Sequence, residues 1–272
     1  MIVPIHRHPL AMTARLPLLL LVLAITSVPA QESPPAAKPG TAARSLRLLP
    51  LGEPPPFRQK VIDGVRQEQE PDARNIPPRE VVLGKGETAV KIRLNLGRAT
   101  EAMKVRVGTA PVILSIPPAP TDADATPKPW LTIRPPETGD VLALTWRDPE
   151  KTWAQARVLV LPDSAAAFPS GNVRIVNLLP VEAAVILGTD QVLIPSGTTL
   201  LRAIPIAADL AIRIAFKNAA GQLQQFHSGS ILLNPNERAQ VFLHRADGEK
   251  PRQPAKVIIF SEATPAAPAP RP

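Results

Sequence analysis

Four cations stand at alternating positions on two neighbouring runs of this chain. Lys91 and Arg93 lie in one, Lys104 and Arg106 in the next. Successive side chains of an extended strand point to opposite faces, so each pair lies on the polar face of its strand. If the two strands pair as a hairpin, all four cations share one sheet face. Like charges opposite one another destabilise a sheet, and a bound anion relieves that repulsion. The chemistry expected of this face is capture of an anionic polymer or of an acidic protein surface. Glu80, Glu87 and Glu101 are the acids placed to neutralise it instead. In the later half of the chain only Arg174 is retained at the matching positions, so the basic face is expected in the first half alone.

The remaining reactive residues are sparse. Past residue 30 there are two histidines, His227 and His244, and no cysteine anywhere. Structural zinc needs four clustered nitrogen and sulfur ligands, so no metal is expected. Asp122 and Asp124 lack the further oxygens and the turn glycine of a calcium loop, and read as a solvated loop. His227-Ser228-Gly229-Ser230 has the elements of a nucleophile but not the strand–elbow–helix framework that exposes one. If Phe226 faces a core, His227 faces water. Residues 84 to 88, GKGET, miss the phosphate-loop spacing and read as a hairpin turn. No catalytic residue and no cofactor are expected.

Most of the positioning elements are strands. Residues 91 to 96, 103 to 107 and 211 to 216 alternate polar and apolar with period two. That pattern gives strands with one buried and one wet face. Gly84-Lys85-Gly86, Gly139-Asp140, the two Pro-Ser-Gly sets and residues 218 to 221 supply turns between them. Many short strands without intervening helical runs predict antiparallel β-sandwiches of about seven strands each. Of three tryptophans, Trp130 is expected to be partly exposed. Trp146 is expected in a core, because it ends the alternating run Leu142, Leu144, Trp146.

The sequence also echoes itself. Residues 90 to 109 match 173 to 189, and 148 to 161 match 234 to 244. Val90 and Val173 are 83 residues apart, as are Val158 and Val241; Gly108 and Gly188 are 80 apart, and Asp148 and Asn234 are 86 apart. Near-constant offsets predict two tandem modules of about 80 residues. The expected organisation is a signal peptide at 1–30, a Pro-rich arm at 31–79, one module at 80–163, a second at 169–262, and a disordered Pro/Ala-rich tail at 263–272. Residues 57 to 70 remain open between helix and extended chain.

The strings VRIVNLLP, VILGTDQVLIPSGTTLL and NPNERAQVFL in the second module resemble immunoglobulin-like β-sandwich modules of uncharacterised secreted bacterial proteins. The resemblance covers roughly the last third of the chain and lacks the cysteine and tryptophan spacing of true immunoglobulin domains. It implies a structural or binding module outside the cytoplasm and carries no functional residues.

Composition and address agree with that expectation. Arg7 and Arg15 precede the apolar run at 16 to 25, and Val28 and Ala30 fit a cut between Ala30 and Gln31. The run is shorter than a membrane span needs. Export to the periplasm or beyond is expected. Proline reaches 35 of 272 residues, which excludes a long-helix architecture. Taking Arg7 and Arg15 from 31 basic residues leaves 29 against 23 acidic ones, a net charge of +6. No nucleic-acid partner is expected in that compartment. The functional expectation is a secreted or periplasmic, non-catalytic binding or structural protein of the cell envelope. The second reading is a hydrolase acting on a cell-envelope polymer. That reading requires a pocket with two convergent acids, or an aspartate beside His227 or His244.

Overall fold

Strands form in the three runs that alternate, although the one expected over 91 to 96 stops at Arg93. In Leu210–Lys217, Ile212, Ile214 and Phe216 are buried while Ala211, Arg213 and Lys217 are exposed. The computed structural model describes residues 43–55, 58–70, 72, 75–106, 108–119, 125–148, 150–218, 220–247 and 251–265. The chain is all-β across them, with 3-10 turns at Gly86–Thr88 and Trp153–Gln155. The signal region, Asp122, Asp124 and the last seven residues lie outside the described residues. No helix among the described residues is long and apolar enough to cross a membrane.

Eight strands build the first half: β1 (Ala43–Pro50), β4 (Glu80–Leu83), β5 (Val90–Arg93), β6 (Met103–Arg106), β7 (Val112–Ile116), β8 (Lys128–Ile133), β9 (Val141–Trp146) and β10 (Arg157–Pro162). They form two sheets, ordered β10-β9-β1-β6 and β5-β4-β7-β8. A hairpin, β2 (Arg58–Ile62) with β3 (Val65–Gln69), is inserted between β1 and β4. Eight more strands build the second half: β11 (Asn172–Asn177), β12 (Ala183–Leu187), β13 (Asp190–Ile194), β14 (Thr199–Ala203), β15 (Leu210–Lys217), β16 (Leu223–Ile231), β17 (Glu237–Arg245) and β18 (Ala255–Ala263). Their sheets are ordered β14-β11-β17-β18 and β13-β12-β15-β16.

The two halves therefore share one strand order, with β1 the counterpart of β11 and β9 that of β17. In both, the first strand runs parallel to the seventh and antiparallel to the fourth. This equivalence differs from the offsets read in the sequence. Val173 lies in β11, whose counterpart is β1, whereas Val90 lies in β5, an edge strand of the other sheet. By register, Arg47 answers to Arg174, 127 residues on, while Asp163 answers to Glu262, 99 residues on. The inserted hairpin makes a constant offset impossible.

Residues 43 to 50 also depart from the Pro-rich arm expected at 31–79. They form a central strand, bonded to β9 on one side and β6 on the other. Of the stretch left open at 57 to 70, Phe57 lies outside the described residues and residues 58 to 69 form the β2–β3 hairpin rather than a helix, with Asp63 and Gly64 both at positive φ in its turn. An Asp-Gly pair suits such a turn, because its backbone twist matches that of the flanking strands. Of the tail expected at 263–272, Ala263 belongs to β18 and the Thr264 N–H donates to the Asn236 backbone oxygen at 2.8 Å; residues 266 to 272 lie outside the described residues.

Three apolar cores result. Leu46, Leu48, Val81, Leu114 and Ile133 fill the space between the first half's two sheets. Val173, Ile175, Val185, Ile214 and Val241 do so in the second. A third core lies between the halves, where the β10-β9-β1-β6 sheet meets the β14-β11-β17-β18 sheet. Leu49, Leu142, Leu144, Val176 and Phe242 supply it. The two central sheets are thus covered on both faces. This is why Val141–Trp146 and Arg238–His244 are buried almost without interruption, as sheets covered twice require. The run Leu142, Leu144, Trp146 faces this seam rather than the core within its own half, and Trp146 is only half-buried.

Candidate functional site

The four cations of the expected basic face are exposed, as their alternation demands. They do not share a face. Lys91 and Arg93 sit on β5, at the edge of the β5-β4-β7-β8 sheet; Lys104 and Arg106 sit on β6, at the edge of the β10-β9-β1-β6 sheet. The hairpin that was to unite them does not form, because β5 pairs with β4 and β6 with β1. Lys91 meets Glu80 at 3.5 Å, and Lys104 Nζ reaches Ser45 Oγ at 3.3 Å. Sequence adjacency suggested the pairing, and sheet order overrode it. Arg174 is not a residual surface cation either. It is 4% exposed.

Arg174 belongs to a buried charge cluster at the seam. Asp163, in the connector between β10 and β11, lies at its centre. Its Oδ2 accepts from Arg47 Nη2 at 2.6 Å, and its Oδ1 accepts from Arg238 at 2.9 Å and Arg174 at 3.4 Å. Glu262 accepts from Arg47 at 2.6 Å, from Arg238 at 3.0 Å and from Gln240 at 2.8 Å. The Phe168 ring receives the guanidinium carbons of Arg174 and Arg238, 4.3 and 4.6 Å from its centroid. Three arginines close together repel, and two carboxylates with an aromatic face offset that repulsion. Counterpart residues of the two halves, Arg47 with Arg174 and Asp163 with Glu262, thereby meet in one cluster.

Burial opposes the charge on these groups, and the ion pairs restore it. Burial pushes the Glu262 carboxyl up, but Arg47, Arg238 and Gln240 together outweigh it and the carboxyl ends below its usual range. Burial lowers Arg174 to about 10, against the pull of Asp163, so it stays cationic at neutral pH. Arg47 ends above its ordinary value, because its two carboxylates exceed the cost of burial. Glu262, with its folded pKa depressed, stabilises the fold above the unfolded carboxylate range, near ~4.3. That contribution is lost as pH falls through the folded value. Thermal melts from pH 7 down to pH 3 should therefore show a steeper acid decline for the native chain than for Glu262→Gln.

At the other end of the seam, where β9 and β10 pair through Trp146 and Arg157 rather than Val141 and Pro162, a cleft opens with a cavity volume of about 380 Å³. Trp146, Leu159 and Leu178 give it apolar walls. Two ion pairs border it: Asp148 with Arg157 at 3.2 Å, and Glu150 with Arg245 at 2.6 Å. Arg245 holds the Glu150 carboxyl below its usual range. Next to it, sharing Trp146, Asp148, Leu178 and Arg245 as lining, is a cavity of about 10 Å³ bordered by His244 and Asp247. That space suits one water. His244 Nδ1 lies 2.9 Å from the Arg245 backbone oxygen. A carbonyl only accepts, so this nitrogen carries the proton. Burial lowers the His244 pKa and keeps the ring neutral. Asp247 is paired with Arg147 at 3.1 Å.

The other sequence candidates fall elsewhere. Phe226 is buried and His227 half-buried. His227 Nε2 has no hydrogen-bond partner among the described residues, and burial lowers its pKa. The neighbouring Ser228 and Ser230 are exposed. Residues 84 to 88 join β4 to β5, which pair as a hairpin. Trp130 is half-buried and donates through Nε1 to the Trp153 backbone oxygen at 2.7 Å.

Sequence reasoning missed both the cluster and the cleft. Arg174, Arg238 and Gln240 interrupt otherwise apolar runs, VRIV and ERAQVFL, and that interruption was the available signal. No protein-family model and no curated protein matches the chain.

Proposed function

We propose that the chain is an exported cell-envelope protein built from two immunoglobulin-like β-sandwich modules that arose by internal duplication, and that it binds its ligand without transforming it. The shared strand order of the halves supports the duplication. The signal-like first 30 residues support export, and N-terminal sequencing of the mature protein is expected to begin at Gln31.

The observation that carries the binding reading is the seam cleft. It joins a half-buried indole to two carboxylate–guanidinium pairs in a volume within the ordinary range of ligand sites. An indole offers a flat apolar surface to the C–H face of a sugar ring, and the flanking pairs offer donors and acceptors to its hydroxyls. A glycan of the envelope is the ligand class that fits. The groups the hydrolase reading requires are present, since Asp148 and Glu150 border one cleft and Asp247 stands near His244; that reading asks further for a carboxylic acid held protonated near neutral pH. Here each acid bordering the cleft is paired with an arginine, and Glu150 is held ionised. This favours binding.

Titration calorimetry with soluble cell-wall saccharide fragments is expected to show binding that Trp146→Ala weakens at least about tenfold, by analogy with loss of an aromatic anchor. Binding that ignores Trp146→Ala removes the cleft from the account. Release of reducing ends that stops on Asp148→Asn or Glu150→Gln replaces the binding reading with the hydrolase.

A further inference from the structure

We propose that β3 is a self-complementary edge through which two copies of this chain pair. The β2–β3 hairpin has no counterpart in the second half. Residues 51–79 connect β1 to β4, whereas residues 178–182 suffice between the equivalent β11 and β12. All ten strand residues of the hairpin are exposed. A two-stranded hairpin without a packed face is marginal by itself, and among the described residues no further strand pairs with its outer edges, which can accept one.

The residues of β3 specify which strand. In sequence it reads Val65-Arg66-Gln67-Glu68-Gln69. Laid antiparallel against a second β3 about Gln67, Arg66 of each copy stands opposite Glu68 of the other. Gln67 then meets Gln67, a pair able to donate and accept in both directions. Two opposite-charge cross-strand pairs form, and no like charges meet.

The backbone is also in phase. Ile62 and Val65 close the two-residue turn as a hydrogen-bonded pair. By alternation Lys60–Gln67 and Arg58–Gln69 are bonded pairs, while Val61–Arg66 and Gln59–Glu68 are not. Arg66 and Glu68 therefore turn their N–H and C=O groups away from β2, toward the newcomer. These are the residues that the charge register sets opposite each other. The other edge fails the same trial. Two β2 strands centred on Lys60 place Lys60 against Lys60. The pairing yields a four-stranded sheet ordered β2-β3-β3-β2. One strand edge buries less than a standard interface, so the dimer is weak and depends on concentration.

Sedimentation equilibrium of the purified full chain tests this. The native chain is expected to pass from monomer to dimer as concentration rises. Arg66→Glu and Glu68→Arg each turn two attractive pairs into two repulsive ones, and each should weaken the dimer about tenfold. The double variant R66E/E68R restores opposite charges in the reversed sense and should return to within about twofold of native. Lys60→Glu, on the opposite edge, should change little. A chain that stays monomeric at every concentration overturns the proposal. So does a dimer indifferent to both single reversals, or a double variant as weak as either single one.

Discussion

Replacing Asp163 by asparagine is expected to cost on the order of 3–5 kcal/mol of stability, the usual penalty for stranding buried charge. Asparagine keeps the shape and one acceptor oxygen but removes the anion. Arg174 and Arg238 are 4% and 0% exposed, so neither guanidinium can turn to water for solvation. Both also lie on the Phe168 ring, and they repel each other once Asp163 is neutral. Glu262 alone is left to balance three arginines. For a folded unit of this size, the melting midpoint should drop by roughly 6–20 °C. Arg157→Ala serves as the control. Its partner Asp148 lies near the surface and the Arg157 side chain is 61% exposed, so that loss should stay below about 1 kcal/mol. Equal melting curves for the native chain and Asp163→Asn would show that the cluster does not hold the halves together.

A chain that begins at residue 80 is expected not to fold in its first half. Such a chain keeps everything from β4 onward but loses β1. That strand is bonded on both sides, parallel to β9 and antiparallel to β6. It sends Leu46 and Leu48 into the first core, and Arg47 and Leu49 into the seam, where Leu51 just past its end follows. Without it β6 has no neighbour in its sheet, and two cores lie open at once. A chain that begins at residue 41 should fold and melt cooperatively. The gentler version is Leu48→Ala, for which burial without exposed area predicts a loss of about 2–5 kcal/mol. Far-ultraviolet and near-ultraviolet circular dichroism distinguish the outcomes. Native-like spectra from the chain starting at 80 would show that β1 is dispensable.

The Pro-rich stretch concealed β1 for a physical reason. Alternation marks a strand with one wet face, and the second half of β1 has none: Leu48, Leu49 and Pro50 are all buried, as is Leu51 just past its end. Its neighbouring prolines then read as linker. The same double coverage concealed the role of β9, whose alternating leucines face the seam. The hairpin at 58 to 69 carried one turn signal, Asp63-Gly64, but its flanks Arg58–Ile62 and Val65–Gln69 do not alternate polar and apolar, and Phe57, Val61 and Val65 stand at helical spacing, so the stretch stayed open.

The chain's residues, taken in order, determined the all-β class and the outward direction of Lys91, Arg93, Lys104 and Arg106. They also determined the inward direction of Ile212, Ile214 and Phe216. Each of these follows from the pleat, which depends only on local backbone geometry. Tertiary structure alone decided which strands are neighbours. It put β5 and β6 in different sheets and dissolved the shared basic face. It also gathered Arg47, Asp163, Arg174, Arg238 and Glu262 from across the chain into one buried cluster. Sheet order is chosen by burial summed over the whole molecule, and a charge becomes structural only when that order covers it.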